Sequence, residues 1–232
     1  MSQRFFVEQP ITDSLAELVD AEAQHLAKVM RAAVGDEVVL FDGSGAEFSA
    51  KVARIAKSAV TLDVLERREV NLEPRVTLTL AVALPKGERQ KWLVEKLTEL
   101  GVARLVPLLT ERGVAQPVDA ALARLRRAVI EASKQCGRNR LMEIAQPREA
   151  LKYFAEDSLG MKLIAEPGGE VLGSLAAEIT HLTCAVGPEG GFAPAELKSA
   201  LENQWRPVSL GRSILRIETA AIAVAAWSGL SS

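Results

Sequence analysis

The sequence has few of the residues that most readily carry chemistry on their own. Aromatic residues make up 4% of its 232 positions, so aliphatic side chains must build most of the core. The two cysteines, Cys136 and Cys184, lack metal-ligand spacing and do not suggest a disulfide framework. The two histidines, His25 and His181, lie in no recognisable motif. We therefore expect reduced thiols, no metal site and no cysteine nucleophile.

Long hydrophobic runs and a strong net charge are absent too. No apolar run approaches the ~20 residues that span a bilayer, so we expect no membrane anchor. The first ten residues, MSQRFFVEQP, do not have the pattern of a secretory signal, and we expect a cytoplasmic protein. The formal net charge is −2, whereas a strong nucleic-acid binder often carries a basic excess. Any basic surface must therefore be local.

The composition is otherwise typical of a globular protein. The first third of the sequence predicts a small β-rich domain. The chain is 48% hydrophobic and 25% charged, which suffices for a sizeable core in one large domain or two unequal ones. Apolar residues alternate with polar ones in several short runs over 36–70, which indicates a small sheet or barrel. Residues 20–31 have helical spacing. We predict a first domain at 1–72, which ends at the sequence NLEP.

The remaining residues, 73–232, predict a mostly parallel α/β sheet. Near-continuous apolar runs alternate with amphipathic helical segments, the pattern of strands that are covered on both faces. The predicted strands are 75–84, 103–110, 161–167, 182–188 and 205–211. The predicted helices are 88–101, 119–135, 170–178, 194–203 and 217–228.

Three predicted strands end in loops of special composition, at 165–170, 186–192 and 210–219. Ligands of open α/β sheets bind at the carboxyl ends of strands, so these loops predict one pocket. The spacing of GPEGG matches neither a dinucleotide-binding motif nor a phosphate-binding P-loop, which favours a ligand bound by backbone groups. Taken alone, GPEGG is equally consistent with a tight strand-to-helix turn before Pro194.

Basic residues occur in three short segments that could contact RNA phosphates. We predict that these contacts are made by Lys28, Arg31, Lys86, Arg89, Lys134, Arg138 and its neighbours Asn139 and Arg140. For any one segment, ordinary solvated helix faces explain the charges as well.

Five motifs in series resemble one known family. LPKGERQKW, ELGVARLVPLLTERG, QCGRNR, VGPEGGF and LGRSILRIETAA, in this order, resemble the RsmE-type 16S rRNA (uracil1498-N3)-methyltransferases of the SPOUT class, and the similarity covers essentially the whole chain. The resemblance implies a PUA-like RNA-binding domain, a catalytic domain with a deep trefoil knot, and a homodimer that acts on 16S rRNA in the 30S subunit. It also implies S-adenosylmethionine (AdoMet), bent and bound in the knot.

The resemblance assigns roles to individual positions. The residues implied to bind AdoMet are Leu84, Glu166, Pro167, Gly187, Pro188, Gly190, Gly191, Leu210, Gly211, Ile214, Leu215, Glu218 and Thr219. The sequence departs from the family pattern at three places: Arg212-Ser213 stands where Pro-Arg is usual, Ile217 where Thr is usual, and Met142 where Pro is common.

The implied reaction gives three candidate catalytic residues. N3 of uridine carries an imide proton, so the site must favour the uridine anion. Arg216 or Arg140 could stabilise the developing negative charge, and Glu189 could accept the proton. Alternatively, Glu189 only holds its loop by bonding to amides or an arginine. Two other functions stay open: a knotted methyltransferase with another RNA target, and a non-catalytic RNA-binding protein of ribosome assembly.

Overall fold

The computed structural model describes residues 3–115, 118–174 and 179–230, and the chain forms two compact units. The N-terminal unit contains the residues up to Glu73 together with Ser133–Leu141. The C-terminal unit contains Pro74–Ala132 and the residues from Met142 onward. The predicted domains, 1–72 and 73–232, differ from these units at Glu73 and in residues 133–141, which the prediction placed in the second domain.

The N-terminal unit is built on a five-stranded sheet. Strands β3, β4 and β5 and the helical segment after residue 20 confirm the sequence prediction, whereas the shorter β1 and β2 were not predicted. The neighbour order is β1-β3-β4-β5-β2, and β1–β3 is the parallel pair among antiparallel ones. The elements are β1 (Arg4–Phe6), β2 (Leu15–Val19), α1 (Asp20–Gln24) with a π-helical turn (His25–Val29), β3 (Glu37–Phe41), β4 (Ala46–Ile55) and β5 (Ala59–Glu69).

The core of this unit lies on one side of the alternating strands. In β4, Phe48, Ala50 and Val52 are buried while their neighbours are more exposed, as a period of two requires. Phe5 of β1 and Leu26 of the π-helical turn belong to the same apolar cluster.

The C-terminal unit contains a seven-stranded sheet in which every described pair of strands is parallel. The order is β12-β10-β11-β6-β7-β8, and β9 pairs with β7. The strands are β6 (Thr77–Val82), β7 (Arg104–Leu109), β8 (Glu143–Ile144), β9 (Arg148–Glu149), β10 (Met161–Val171), β11 (His181–Val186) and β12 (Arg206–Ser209). The helices are α2 (Arg89–Glu99), α3 (Asp119–Cys136), α4 (Ala150–Phe154), α5 (Pro194–Glu202) and α6 (Ile217–Leu230).

Most of this arrangement was predicted, but the short elements β8, β9 and α4 were not, and one predicted helix is wrong at its start. The five long strands and the helices α2, α3, α5 and α6 are confirmed. The helix predicted at 170–178 is wrong at its start, because β10 continues to Val171 beside β12 and is followed by a 3₁₀ turn at Leu172–Ser174. The rest of that prediction, 175–178, lies outside the described residues. The trefoil knot stays a prediction.

The strand order decides which loops meet. Because β12, β10, β11 and β6 are consecutive neighbours and all parallel, their carboxyl ends lie along one edge of the sheet. We call it the carboxyl edge, and it carries the four segments 83–88, 166–169, 187–193 and 210–216. Among the described residues, no helix is long and apolar enough to cross a membrane.

Candidate functional site

The loop after β11 presents one carboxylate at its tip. The amide of Gly191 donates to the carbonyl of Pro188 at 2.8 Å, and this tight turn gives Gly191 a φ of +69°, a region that favours glycine. Pro188 is buried, whereas Glu189 is exposed. The glycine-rich composition therefore serves a sharp turn that leaves Glu189 accessible.

A second glutamate, Glu196 in the first turn of α5, holds the same loop through hydrogen bonds to backbone amides. Its Oε2 accepts from the amide of Ala193 and its Oε1 from the amide of Glu111, both at 2.8 Å. Glu196 is buried, and it joins the loop to the segment that follows β7. The sequence analysis missed this residue, although a glutamate in the first turn of a helix, reaching back to an amide before it, has a known capping signature.

The third side chain at this loop is Arg112. Its Nη1 donates to the carbonyl of Gly190 at 2.8 Å. It was also not predicted, because nothing in the sequence relates it to a loop 78 residues further on.

The predicted loop 165–170 is a bulge inside β10. Ala165 and Glu170 both pair with Val208 of β12, so the residues between them leave the ladder. A Cβ on Gly169 would stand 2.5 Å from the carbonyl carbon of Pro207, so this position needs glycine for close approach. Burial raises the pKa of Glu166, which therefore protonates more readily than an exposed glutamate.

The segment after β12 is the most exposed of the four. Gly211, Arg212, Ser213 and Arg216 are exposed, and Ile214 is 88% exposed, an unusual state for an isoleucine. Burial begins where α6 starts, at Ile217 and Glu218. Among the residues predicted to contact AdoMet in this segment, Gly211 and Ile214 are exposed, and Leu210 and Leu215 are half-buried.

One guanidinium connects the loop after β6 with two other parts of the carboxyl edge. Nη1 of Arg89 lies 3.4 Å from Oε1 of Glu218 and 3.8 Å from Oε1 of Glu189. The second oxygen of Glu218, Oε2, is buried and has no hydrogen-bond partner among the described residues. Leu84, predicted to contact AdoMet, is buried at the end of β6.

The RNA contacts predicted in SKQCGRNR, residues 133–140, belong to the N-terminal unit. Arg138 forms a two-bond fork to Glu73, at 2.8 and 2.6 Å. Nζ of Lys134 lies 2.8 Å from Oε1 of Glu22, and Asn139 accepts a hydrogen bond from Arg4. All three predicted RNA contacts are thus turned toward acids or polar groups of their own unit. A structural role explains them, and a role in RNA binding stays a prediction.

Arg140 differs from its neighbours because it is exposed. It forms an isolated bridge with Ser44, and its guanidinium lies 3.0 to 3.2 Å from where a Cβ on Gly45 would stand. Three further predicted RNA contacts, Lys28, Arg31 and Lys86, are exposed and form no ion pair within the described part of the chain, unlike Arg89.

Both cysteines are free thiols, and Cys184 is the more buried of the two. Cys184 is fully buried, and burial raises the pKa of its thiol to about 12, so it carries no thiolate at neutral pH. Across residues 3–115, 118–174 and 179–230, no group of three or more His, Cys, Asp or Glu side chains is arranged to hold a metal ion.

A cavity of about 630 Å³ lies at the opposite edge of the sheet, by the amino ends of β6, β7 and β11. Its lining mixes polar and apolar side chains and includes Thr79, Arg104, Tyr153, His181 and Thr183. None of the residues predicted to bind AdoMet or RNA lines it. Cavity size alone therefore does not identify the site, and the predicted chemistry is concentrated at the carboxyl edge.

Two domain families match this chain. Residues 72–229 match the RNA methyltransferase domain family, and residues 18–65 match the PUA domain of RNA methyltransferases. A ribosomal RNA small subunit methyltransferase E of Synechocystis is 32% identical over 219 residues, which cover 91% of this chain and 72% of that protein.

Two solved structures contain AdoMet. A protein of Legionella pneumophila, described as a methyltransferase with bound AdoMet, is 31% identical, with a TM-score of 0.92 over 100% of this chain and 98% of that one. A ribosomal RNA small subunit methyltransferase E of Neisseria gonorrhoeae, bound to AdoMet, is 26% identical, with a TM-score of 0.89 over 98% and 96% of the two chains.

Proposed function

The chain belongs to the family of ribosomal RNA small subunit methyltransferase E, and we propose that it transfers the methyl group of AdoMet to N3 of a uridine, position 1498, in 16S rRNA. The observation that carries this proposal is the carboxyl edge. It brings a tight glycine turn, a strand bulge and an exposed arginine-containing segment to neighbouring strand ends. Such an edge suits a ligand bound by backbone groups.

The polar groups of the carboxyl edge fit AdoMet chemically. The ligand carries a sulfonium charge, an amino group and ribose hydroxyls, which all favour acidic or acceptor surroundings. Oε2 of Glu218 is a buried acceptor without a partner among the described residues, and a buried acceptor is costly to leave unpaired. Glu166 and Glu189 add two further carboxylates to the edge. AdoMet supplies the methyl group, and the backbone of 187–191 and 210–216 would hold it.

Two candidate catalytic residues, Arg216 and Glu189, have exposed side chains at the carboxyl edge. Arg216 is exposed just before α6, where it can approach a uridine and stabilise charge that develops on its carbonyl oxygens. Glu189 is exposed at the loop tip, where it can accept the N3 proton directly or through water. Its distance of 3.8 Å from Arg89 keeps the loop-holding role open as well. Arg140 remains a candidate for charge stabilisation.

Glu189→Gln separates its two roles in part. If Glu189 accepts the proton, the variant loses methyl transfer while its affinity for AdoMet stays within about twofold of the unchanged protein. If Glu189 only shapes the loop, affinity for AdoMet and methyl transfer fall together.

The RNA and assembly parts of the proposal concern the N-terminal unit and a second subunit. We assign RNA binding to the PUA-like unit, with Lys28 and Arg31 as exposed phosphate contacts and Lys86 as a third on the C-terminal unit. We also propose a homodimer, which sedimentation of the purified protein at several concentrations would detect. A monomer at all concentrations would contradict that part alone.

The test of the whole proposal is methyl transfer from labelled AdoMet to 30S subunits that lack the modification, followed by mass spectrometry of the nucleosides. N3-methyluridine is the expected product. A methylated ribose or another base would indicate a different RNA target. AdoMet binding without transfer to any RNA would instead favour a non-catalytic role in ribosome assembly, with the Arg212-Ser213 departure as the first place to examine.

A further inference from the structure

Arg89 occupies a position that phosphate binding does not explain. It is the first residue of α2, directly after the loop that follows β6. A single atom, Nη1, lies within 4 Å of carboxylates from two other segments: Glu189 at the tip of the loop after β11, and Glu218 in the first turn of α6. The start of α2, the glycine turn and the start of α6 therefore meet at one cation.

Negative charge exceeds positive charge around Arg89. Two carboxylates face one guanidinium, and Glu218 is the more constrained of the two because its side chain is 8% exposed, compared with 47% for Glu189. A carboxylate with so little contact with water depends on a nearby cation or donor. Arg89 is the cation that the structure provides, and Oε2 of Glu218 remains available to a ligand.

We propose that Arg89 is a positioning residue for AdoMet: its guanidinium holds Glu189 and Glu218 together, and so fixes the glycine turn and the start of α6 in the shape that receives the cofactor. This inference rests on the proposed function and replaces the prediction that Arg89 contacts RNA. A phosphate would have to compete with two carboxylates for the same guanidinium, and would meet their negative charge as it approached. Lys86, three residues earlier and exposed, has no such competitor among the described residues.

The consequence of losing Arg89 follows from burial. Glu218 would be left as a buried carboxylate without a compensating cation, which is costly unless water reaches it. The turn that carries Glu189 would lose its link to α6, although Glu196 and Arg112 would still hold its base. We expect local loosening of the cofactor edge rather than unfolding of the sheet.

The experiment compares Arg89→Gln with Arg89→Lys and with Lys86→Gln as the matched control. AdoMet affinity is measured by calorimetry on the full chain without RNA. Affinity for 30S subunits is measured separately over a series of salt concentrations. Loss of one charged contact typically reduces an affinity on the order of tenfold. We expect Arg89→Gln to raise the Kd for AdoMet by that factor, while the affinity for 30S and its salt slope stay unchanged.

The two other variants sharpen this result. Arg89→Lys keeps the charge, and because the contacts involve a single nitrogen rather than a fork, we expect it to recover most of the affinity for AdoMet. Lys86→Gln should leave the Kd for AdoMet unchanged and lower the affinity for 30S together with its salt slope. Hydrogen exchange adds an independent readout: in Arg89→Gln, the amides of 187–191 should exchange faster while those of β6 do not.

A double variant tests the mechanism directly. Arg89→Gln with Glu218→Gln removes the uncompensated buried carboxylate, so its melting temperature should rise above that of Arg89→Gln alone. The inference is overturned if Arg89→Gln binds AdoMet as the unchanged protein does, or if it lowers the salt slope for 30S as Lys86→Gln does. Failure of the unchanged protein to bind AdoMet would instead contradict the proposed function, so the two failures are distinguishable.

Discussion

Two groups of cations in the N-terminal unit look alike in the sequence and differ in the structure. Lys134 and Arg138 are 10% and 5% exposed at the side chain and face Glu22 and Glu73. Lys28 and Arg31 are exposed and form no ion pair with any described residue. We call the first pair the buried cations and the second pair the exposed cations. Their difference shows that the function of a basic cluster depends on acids that lie far away in the chain.

The buried cations explain why residues 133–141 belong to the N-terminal unit. Arg138 reaches Glu73 with two parallel hydrogen bonds, the geometry in which a guanidinium binds a carboxylate best. Lys134 reaches Glu22 and also lies 5.7 Å from the centre of the Phe5 ring. Arg4 adds hydrogen bonds to the carbonyl of Gly137 and to Asn139. The segment is therefore fixed by polar contacts along its length.

The largest expected effect comes from Arg138→Ala. It leaves Glu73 without its fork, and breaking a buried pair by removing one partner typically costs about 3–5 kcal/mol. Because Glu73 is 22% exposed and can regain water, we expect the lower end of this range. The free energy of unfolding should fall by about 3 kcal/mol, measured by urea denaturation of the full chain. Arg140→Ala is the matched control, since Arg140 is exposed, and it should change stability by less than about 1 kcal/mol. Equal losses of stability in Arg138→Ala and Arg140→Ala would contradict the structural role that we assign to the buried cations.

A smaller loss is expected for Lys134→Ala. The hydrogen-bonded pair with Glu22 is partly buried, but Glu22 keeps a second contact because its Oε2 accepts from the amide of Phe6 at 3.3 Å. The carboxylate is therefore not left without a partner, and we expect a loss of about 1.5 kcal/mol, the lower end of the range for one hydrogen bond to a charged group. Glu22→Gln should reproduce most of this loss in the same denaturation experiment. A loss as large as that of Arg138→Ala would mean that burial matters less than we infer.

The comparison also shows what the sequence could predict. Strands such as β6 and β11 were predictable because a parallel strand with both faces covered is a continuous apolar run. The glycine turn was predictable from composition, since few residues other than glycine adopt the φ of Gly191. These features are local, and the local sequence determines them.

The missed features depend on partners that are distant in the chain. Lys134 and Glu22 are separated by 112 positions, and Arg89 and Glu218 by 129. Nothing in the segment SKQCGRNR distinguishes a cation that will be buried from one that will face solvent. The three-residue strand β1 was missed for a related reason, because so short a strand exists only through its pairing with β3.

The exposed cations should affect RNA binding and not stability. The double change Lys28→Ala with Arg31→Ala removes two exposed charges, and each phosphate contact contributes a salt slope of roughly 0.7 to 0.9. We expect the slope for 30S binding to fall by about 1.5 and the affinity at 0.1 M salt to fall on the order of tenfold or more. Lys51→Ala, another exposed cation of the same unit, is the control and should change neither quantity. An unchanged slope in the double variant would contradict the assignment of these residues to RNA binding.

The smallest effect separates pairing from burial. Lys198 forms an ion pair with Glu202 one turn later on α5, at 3.7 Å, but the two side chains are 75% and 64% exposed. Water already solvates both charges, so their attraction is screened and the pair adds little. We expect Lys198→Ala to change the free energy of unfolding by less than about 0.5 kcal/mol, measured beside Arg138→Ala under the same conditions. If pairing alone determined the contribution, the two variants would differ little. Lys198 and Arg138 each have a carboxylate partner, but only Arg138 is shielded from water. A large difference in stability between the two variants would therefore show that burial, and not pairing alone, gives the buried cations their structural role.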